Sequence, residues 1–246
     1  MEKYISMLIL SFYIYSFGGW LWESLILPIA GRYKIRNRGF LNGPVIPIYG
    51  FGAILVILLF DSNEKFYSLF IEGGVVACVL EYMTSWAMEK LYHHRWWDYS
   101  DKPFNLNGRV CLEGFVCFGV FSFVCMKWLQ PALFRYLDKY QLIPLIIIAT
   151  VLTTLFALDV MYTIYHMTHL DEKIETFKKD LELFIEDFRE DIENLSTAKN
   201  FDKLLVKMKE LDENQYNMII KNRKYIERRI ITAFPHLLNK KRENKK

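Results

Sequence analysis

Carboxylate side chains occur well inside four of the five long apolar stretches of this 246-residue chain. They are Glu23, Glu72, Glu81, Glu113 and Asp159. An ionised side chain in hydrocarbon costs at least about 2.5 kcal/mol, so such residues normally face a protein interior or a watery cavity. These acids are therefore the first candidates for binding a proton, a cation or a polar substrate.

Five windows are apolar enough to cross a bilayer, which requires about 20 residues each. These windows are Tyr4 to Ile29, Pro44 to Phe60, Phe66 to Met88, Val110 to Leu129, and Leu142 to Met167. The first is too long for a cleaved signal peptide, and its Lys3 is matched by Glu2. The sequence therefore predicts an all-α fold, a polytopic bundle of five transmembrane helices over residues 1–168.

Beyond that bundle the composition becomes rich in Lys, Glu and Asp. From Leu170 apolar residues recur at alternating spacings of three and four, a heptad-like pattern. It predicts a cytoplasmic helical hairpin over residues 169–234, with an intermolecular coiled coil, and hence a homo-oligomer, as the competing use. Residues 235–246 are predicted to be a basic, disordered tail that contacts anionic membrane lipids.

The distribution of Lys and Arg predicts how the chain is oriented in the cell membrane. Basic residues favour the loops that share a side with the C-terminus, which places the C-terminus in the cytoplasm and the N-terminus outside. The net charge of only +3 does not indicate nucleic-acid binding. The four cysteines form no CxxC pair, so the sequence predicts no metal site and no cofactor.

Four of the acids lie at similar depth. At about 1.5 Å of rise per residue, Glu23, Glu81, Glu113 and Asp159 fall roughly 6–13 Å from the predicted inner ends of their helices. This arrangement predicts a polar chamber in the inner leaflet, with arginines nearby as counter-charges. The alternative is that each acid pairs with its own neighbour and only locks the bundle together.

Two polar loops lie beside the predicted chamber. The stretch from Arg38 to Gly52 contains two prolines and four glycines, so the backbone near Asn42 is predicted to be irregular close to membrane depth. In the loop from Trp96 to Arg109, Asn105 and Asn107 join Arg109 as donors suited to carboxylate or phosphate oxygens. The alternatives are a tight glycine-packed connection for the first loop and an interfacial anchor for the second.

These loops carry a family resemblance. The residues concerned are Arg38 to Pro44, Pro47 to Gly50, Leu80 with Glu81, Glu89, Trp97 to Ser100, Pro103 to Asn105, Asn107 to Arg109, and Cys111 with Leu112. With them the chain, over Gly18 to Leu129, resembles the ABC-transporter type IV, or CmpB-like, family of bacterial integral membrane proteins. The resemblance implies an integral membrane protein. Since the chain contains no GxxxxGK[ST] stretch, an ATP-driven role requires a separate ATPase subunit.

The leading hypothesis is a multi-pass permease that binds a polar or anionic substrate in the inner-leaflet chamber. Its candidate substrate-binding residues are Glu23, Arg38, Asn42, Glu81, Asp98, Asn105, Asn107, Arg109, Glu113 and Asp159. One alternative is a membrane enzyme acting on lipid or lipid-linked headgroups, with Glu113 or Asp98 as general base. Another is a membrane scaffold that presents the helical tail to partners. No catalytic residue is assigned, so the sequence leaves open whether the protein is an enzyme.

Overall fold

A computed structural model of the chain describes residues 1–31, 34–92 and 95–167. Met1–Ile164 form one compact unit, and a second unit begins at Tyr165. The predicted hairpin at residues 169–234 and the predicted basic tail at 235–246 lie outside the described residues, as does the predicted boundary at residue 168. Those predictions therefore stay predictions.

The described chain is built mainly from helices. Their bounds are α1 Glu2–Leu21, α2 Leu27–Gly31, α3 Pro47–Leu59, α4 Phe66–Tyr92, α5 Leu112–Val124, α6 Gln130–Leu137 and α7 Leu142–Met167. A π-helical turn, Trp22–Ile26, joins α1 to α2, and a second, Cys125–Leu129, joins α5 to α6. Each of these two pairs forms one long rod, Glu2–Gly31 and Leu112–Leu137.

Four helical rods in the described part of the chain are long and apolar enough to cross a membrane. They are Glu2–Gly31, Phe66–Tyr92, Leu112–Leu137 and Leu142–Met167, and they overlap four of the five predicted windows. The remaining window contains only α3, whose 13 residues extend about 20 Å against a hydrocarbon core of about 30 Å. Helix α3 is thus shorter than a full span, and five crossings remain a prediction.

Residues 34–46 form an irregular stretch, here called the re-entrant segment, that runs back along the first rod. The Arg38 N–H donates to Ser24 Oγ at 3.0 Å, and the Ile46 N–H donates to the Ser16 carbonyl at 3.0 Å. Ser24 and Ser16 are separated by about 12 Å of helix rise. Helix α3 therefore begins beside the middle of the first rod, with Pro47 in its first turn. The predicted irregular backbone near Asn42 is confirmed, and its depth in the membrane stays a prediction.

Glycines allow the close approach of two helix pairs. A Cβ at Gly119 of α5 would meet the Phe70 carbonyl oxygen of α4 at 2.6 Å, and one at Gly73 of α4 would meet Ser122 Cβ at 2.5 Å. A Cβ at Gly50 of α3 would collide with Ser16 of α1. Small residues let helix backbones pack closely where lipid supplies no hydrophobic driving force between helices.

The end of the bundle where α1 begins holds a small apolar cluster. Met7 and Leu10 of α1 pack with Leu137 of α6 and with Leu145 and Ala149 of α7. Because α6 ends and α7 begins here, this packing places the start of α1 beside the α6–α7 turn. Helices α1, α6 and α7 therefore pack together at this end of the bundle.

A short β-hairpin precedes α5. Strand β1, Asn105–Leu106, pairs antiparallel with β2, Val110–Cys111. The two turn residues Asn107 and Gly108 have φ of 54° and 68°, the left-handed pair that a type I′ hairpin turn requires. The fourth predicted window began at Val110, and the start of that prediction is wrong because Val110 and Cys111 belong to β2 and the helix starts at Leu112.

Replacing Gly119 by Ala is expected to destabilise the protein by about 1–3 kcal/mol, because the new methyl group meets a backbone oxygen that cannot rotate away. Thermal unfolding of the purified protein in detergent micelles measures the loss. Gly18→Ala is the matched control, since no atom lies within 4 Å of a Cβ built at Gly18. Equal melting temperatures for the two variants would contradict this account of α4–α5 packing.

Candidate functional site

Glu23 lies in the first π-helical turn and is reached by a tyrosine from α3. The Tyr49 hydroxyl donates to Glu23 Oε1 at 2.7 Å. The Tyr49 ring lies against Gly19, where a Cβ would collide with it. Because Gly19 has no side chain, the Tyr49 ring can pack against the first rod and its hydroxyl can reach the Glu23 carboxylate. The π-helical turn that contains Glu23 determines the direction in which this side chain leaves the rod.

Glu81 is a buried acid in the middle of α4, with only 6% of its surface exposed. Its Oε1 accepts a hydrogen bond from the Tyr99 hydroxyl at 3.2 Å. Its Oε2 has no hydrogen-bond partner among the described residues. A buried acceptor left without a partner costs about 1–3 kcal/mol, and more when it is charged. Glu81 is therefore the least satisfied acid in the described part of the chain.

Both glutamates act electrostatically on the Tyr99 phenol. Burial, followed by the Glu81 and Glu23 carboxylates, raises the pKa of Tyr99 well above its usual range. Tyr99 therefore stays protonated at neutral pH and acts as a hydrogen-bond donor. We call Glu23, Tyr49, Glu81 and Tyr99 the acidic cluster.

The hairpin loop holds Tyr99 in position. The Tyr99 backbone N–H donates to the Gly108 carbonyl at 2.7 Å, and the Trp97 indole N–H donates to the Arg109 carbonyl at 3.1 Å. At Gly108 a Cβ would meet Asp98 Oδ1 and Ser100 Oγ, each at 2.5 Å. The Asn-Gly turn thus brings the hairpin backbone against residues 97–99 and aims the Tyr99 ring at α4.

Arg109 is bound by residues of α4 outside the acidic cluster. Its guanidinium lies 2.5 Å from Glu89 Oε2 and donates to Ser85 Oγ at 3.2 Å. The same Glu89 carboxylate accepts from Arg95 at 3.2 Å, so two guanidinium groups share one acid. With its side chain 10% exposed, Arg109 is a buried cation whose charge Glu89 neutralises. Its predicted contact with a substrate anion stays a prediction.

Asp159 of α7 binds the re-entrant segment. Its Oδ1 accepts from the Asn42 backbone N–H and side-chain amide, both at 3.1 Å, and its Oδ2 accepts from the Gly43 N–H at 2.7 Å. A Cβ at Gly43 would lie 3.1 Å from Oδ2, so glycine permits this approach. Asp159 and Asn42, both predicted site residues, are thus brought together, as a clamp between α7 and the re-entrant segment.

Glu113 lies at the surface, with 66% of its side chain exposed. It forms an ion pair with Lys102 at 2.7 Å, and this hydrogen bond raises the pKa of Lys102. The structure therefore places Glu113 in a surface ion pair with the hairpin loop.

The remaining predicted site residues contact protein groups near the hairpin or the first rod. Asp98 accepts from the Ser100 N–H at 2.9 Å, and Asn105 accepts from the Gly108 N–H at 3.0 Å. The Asn107 amide donates to the Tyr82 hydroxyl at 3.0 Å. Arg38 is tied to Ser24 through its backbone. These bonds shape the loops, and substrate binding by Arg38, Asp98, Asn105 and Asn107 stays a prediction.

Comparison with known proteins decides the family. Residues 10–164 match the family described as Putative ABC-transporter type IV. The chain belongs to this family. The resemblance expected from the loop motifs is thereby confirmed, and with the four apolar rods it makes this member of the type IV family a transport-related membrane protein. No curated protein and no solved structure shows significant similarity to the chain.

The sequence reasoning missed both tyrosines of the acidic cluster and treated Glu89 only as part of the type IV family resemblance. Tyr49 and Tyr99 stand in the motifs Pro47–Gly50 and Trp97–Ser100 that carry the resemblance. Buried tyrosine hydroxyls usually find a hydrogen-bond partner. A tyrosine in a loop motif beside an acid in a predicted span was therefore the available signal.

Replacing Glu89 by Gln is expected to destabilise the protein by about 3–5 kcal/mol, because it leaves the buried Arg109 cation without a counter-charge. Thermal or denaturant unfolding in micelles measures the loss. Glu113→Gln is the control and should leave unfolding unchanged, since exposed ion pairs contribute little. Similar stability of the two variants would show that Glu89 is not the counter-charge that Arg109 requires.

Replacing Asp159 by Asn is expected to loosen the re-entrant segment. The amide offers one acceptor oxygen where the carboxylate offers two, so at least one partly buried N–H of residues 42–43 loses its partner, at a cost of up to about 1–3 kcal/mol. Hydrogen exchange of peptides covering residues 39–46 should accelerate by roughly tenfold or more. Glu72→Gln, at an exposed position of α4, is the control. Unchanged exchange in Asp159→Asn would refute the clamp.

Proposed function

We propose that this protein is a permease that carries a polar solute across the membrane, and that its acidic cluster takes up a proton or a cation during that passage. The observation that carries the proposal is the buried Glu81 carboxylate, whose Oε2 has no partner among the described residues while its Oε1 has only a phenol. An ionisable group kept at this cost within a membrane helix is by default a candidate functional group.

The electrostatics of the acidic cluster support this role. Among the described residues, neither Glu23 nor Glu81 forms an ion pair, and each accepts one hydrogen bond from a tyrosine. A neutral phenol does not cancel a negative charge. Arg38 acts on Glu23 electrostatically. Two neighbouring carboxylates that form no ion pair are still stabilised when one takes a proton or when both share a cation.

The position of the cluster also supports the proposal. Tyr49 lies in the first turn of α3, and α3 begins beside the middle of the first rod after the re-entrant segment. Transporters commonly place substrate and ion sites where a broken helix meets irregular backbone near the middle of the bilayer. Irregular backbone at that depth must be buried in protein or line water.

The proposal differs in one respect from the polar chamber expected from sequence. Arg109 is left out of the site because Glu89 and Ser85 already bind its guanidinium, and Glu113 is left out because it is at the surface. The solute is accordingly proposed to be recognised near Glu23 and Glu81. The energy source is proposed to be the gradient of the proton or the cation, or a separate ATPase subunit. The C-terminus is proposed to face the cytoplasm.

A transport assay with a solute mixture tests the proposal. Proteoliposomes are loaded with amino acids, nucleosides, organic anions and polyamines, and the retained solutes are quantified by mass spectrometry under an imposed proton or sodium gradient. The wild-type protein should deplete one class of solute. Glu81→Gln and Glu23→Gln should abolish depletion, because neither amide can take a proton or balance a cation. Glu113→Gln should behave as wild type.

Two results would overturn the proposal. One is the absence of depletion by the wild-type protein with either gradient and with its co-purified partners present. The other is full depletion by Glu81→Gln, which would reduce the buried acid to a structural role. Equal recovery of folded protein for the wild type and the three variants, measured by size-exclusion chromatography, separates loss of transport from loss of folding.

A further inference from the structure

The Glu81 oxygen that lacks a hydrogen-bond partner faces the start of α5. A Cβ built at Gly114 would lie 3.9 Å from Glu81 Oε2, 3.8 Å from Cys111 Sγ and 3.7 Å from Phe118 Cε2. These are ordinary van der Waals distances, so the missing side chain of Gly114 leaves room for about one methyl group beside Oε2. We call Cys111, Gly114 and Phe118, which border this space, the apolar wall.

The apolar wall offers no strong hydrogen-bonding group to Oε2. Gly114 has no side chain, the Phe118 ring has no polar atom, and a thiol is only a weak donor and a weak acceptor. Glu81 itself is 6% exposed, and its Oε2 bonds to none of the described residues. A buried carboxylate in such surroundings is much more costly than the neutral acid, and the usual response is that the group takes up a proton.

The titratable groups that face Glu81 or its partner Tyr99 are all acids, each either neutral or negative. They are Glu23 of the first rod, Tyr49 of α3, Cys78 of α4, Tyr99 of the loop and Cys111 of β2. In the described part of the chain, no lysine, arginine or histidine acts on Glu81, whereas Arg38 acts on Glu23. Glu81 is therefore the acid of this pair whose charge no cation offsets.

The surroundings of Oε2 suit a proton better than a metal cation. Hard cations such as magnesium and calcium take about six to eight oxygen ligands, whereas the apolar wall offers carbon and sulfur. Within residues 1–31, 34–92 and 95–167, no three His, Cys, Asp or Glu side chains are grouped closely enough to hold a metal ion. A proton needs only one oxygen atom, which Oε2 supplies.

We propose that the acidic cluster takes up a proton and not a metal cation, and that Glu81 Oε2 is the atom that binds it. The proton forms an O–H bond with the carboxylate and leaves Glu81 neutral, while the Tyr99 hydroxyl continues to donate to Oε1. Gly114 is a positioning residue, because its missing side chain leaves Oε2 without a donor that would stabilise the charged form. The part of this proton in transport rests on the proposed function, but the protonation of Glu81 does not.

Infrared difference spectroscopy of the full-length protein in lipid films tests the proton site, because a protonated carboxyl group has a C=O stretching band that a carboxylate lacks. As the pH is raised, the wild-type protein should lose one such band that Glu81→Gln does not show. Glu72→Gln, at an exposed position of α4, is the control and should keep the band. Identical difference spectra for the wild type and Glu81→Gln would overturn the proposal.

Two substitutions of Gly114 keep Glu81 in place and test whether Oε2 is the protonated atom, even if Glu81→Gln does not fold. Gly114→Ala fits the available space and adds no donor, so the pH at which half of the band is lost should stay the same or rise. Gly114→Ser places a hydroxyl within reach of Oε2, and a donor to the carboxylate favours its charged form. That pH should therefore fall by about one unit or more. Equal values for the two variants would refute the assignment to Oε2.

Exchange of cations at constant pH and ionic strength separates a proton site from a metal site. Choline chloride is replaced in turn by the chlorides of sodium, potassium and magnesium while the carboxyl band is recorded. The band should not change, because none of these cations finds its ligands beside Oε2. Loss of the band with any one of them would show that the cation displaces the proton, and would overturn the proposal.

The transport assay distinguishes this inference from the proposed function. A protein that titrates at Glu81 but depletes no solute, with its co-purified partners present, refutes the proposed function and leaves the proton site standing. Depletion driven by a sodium gradient alone, and lost in Glu81→Gln, supports the proposed function and refutes the proton as the ion taken up. Depletion driven by a proton gradient, and lost in Glu81→Gln, supports both.

Discussion

The structure depends on satisfying a stretch of irregular backbone that lies beside the middle of a helix long enough to cross a membrane. Unpaired N–H and C=O groups cost several kcal/mol each in hydrocarbon, so the re-entrant segment is stable only where other residues bond to it. The first rod supplies Ser24 and the Ser16 carbonyl at its two ends, and Asp159 of α7 binds its middle. The start of α3, and with it Tyr49, is positioned by these bonds, and the acidic cluster follows from that position.

The acids predicted to share one chamber have separate partners because depth along a helix does not define its rotation. Glu81 and Glu89 are both on α4 and eight residues apart, but the first meets Tyr99 and the second meets two arginines. Which of them faces the chain's own cations depends on the hairpin turn at Asn107 and Gly108. That turn brings Arg109 to Glu89 and Tyr99 to Glu81. The loop therefore determines which acid of α4 pairs with a cation and which accepts a hydrogen bond from a phenol.

Much of the helical framework could be predicted from sequence, because a run of apolar residues long enough for a bilayer allows few other structures. Four of the five windows correspond to membrane-length rods, and the prolines and glycines from Arg38 to Gly52 predicted the re-entrant backbone. Contacts between distant residues could not be predicted in this way. Tyr49 reaches Glu23 because Gly19 leaves space on a facing helix, and no single-sequence pattern contains that information. The start of the fourth window was misjudged, because hydropathy does not report where an apolar stretch becomes helical.

Three different sets of bonding partners stabilise four carboxylates of the described helices, which are Glu23, Glu81, Glu89 and Asp159. Comparing these partners separates the structural acids from the candidate functional acids. Glu89 has two guanidinium groups, and Asp159 has three N–H donors. Both arrangements stabilise a carboxylate through several bonds, as expected for acids that hold the fold together. Glu23 and Glu81 have one phenol each, which stabilises a carboxylate but leaves its charge in place. Neither acid forms an ion pair with a described residue, although Arg38 acts on Glu23 electrostatically. This is the physical reason to propose that the cation or the proton binds at these two acids.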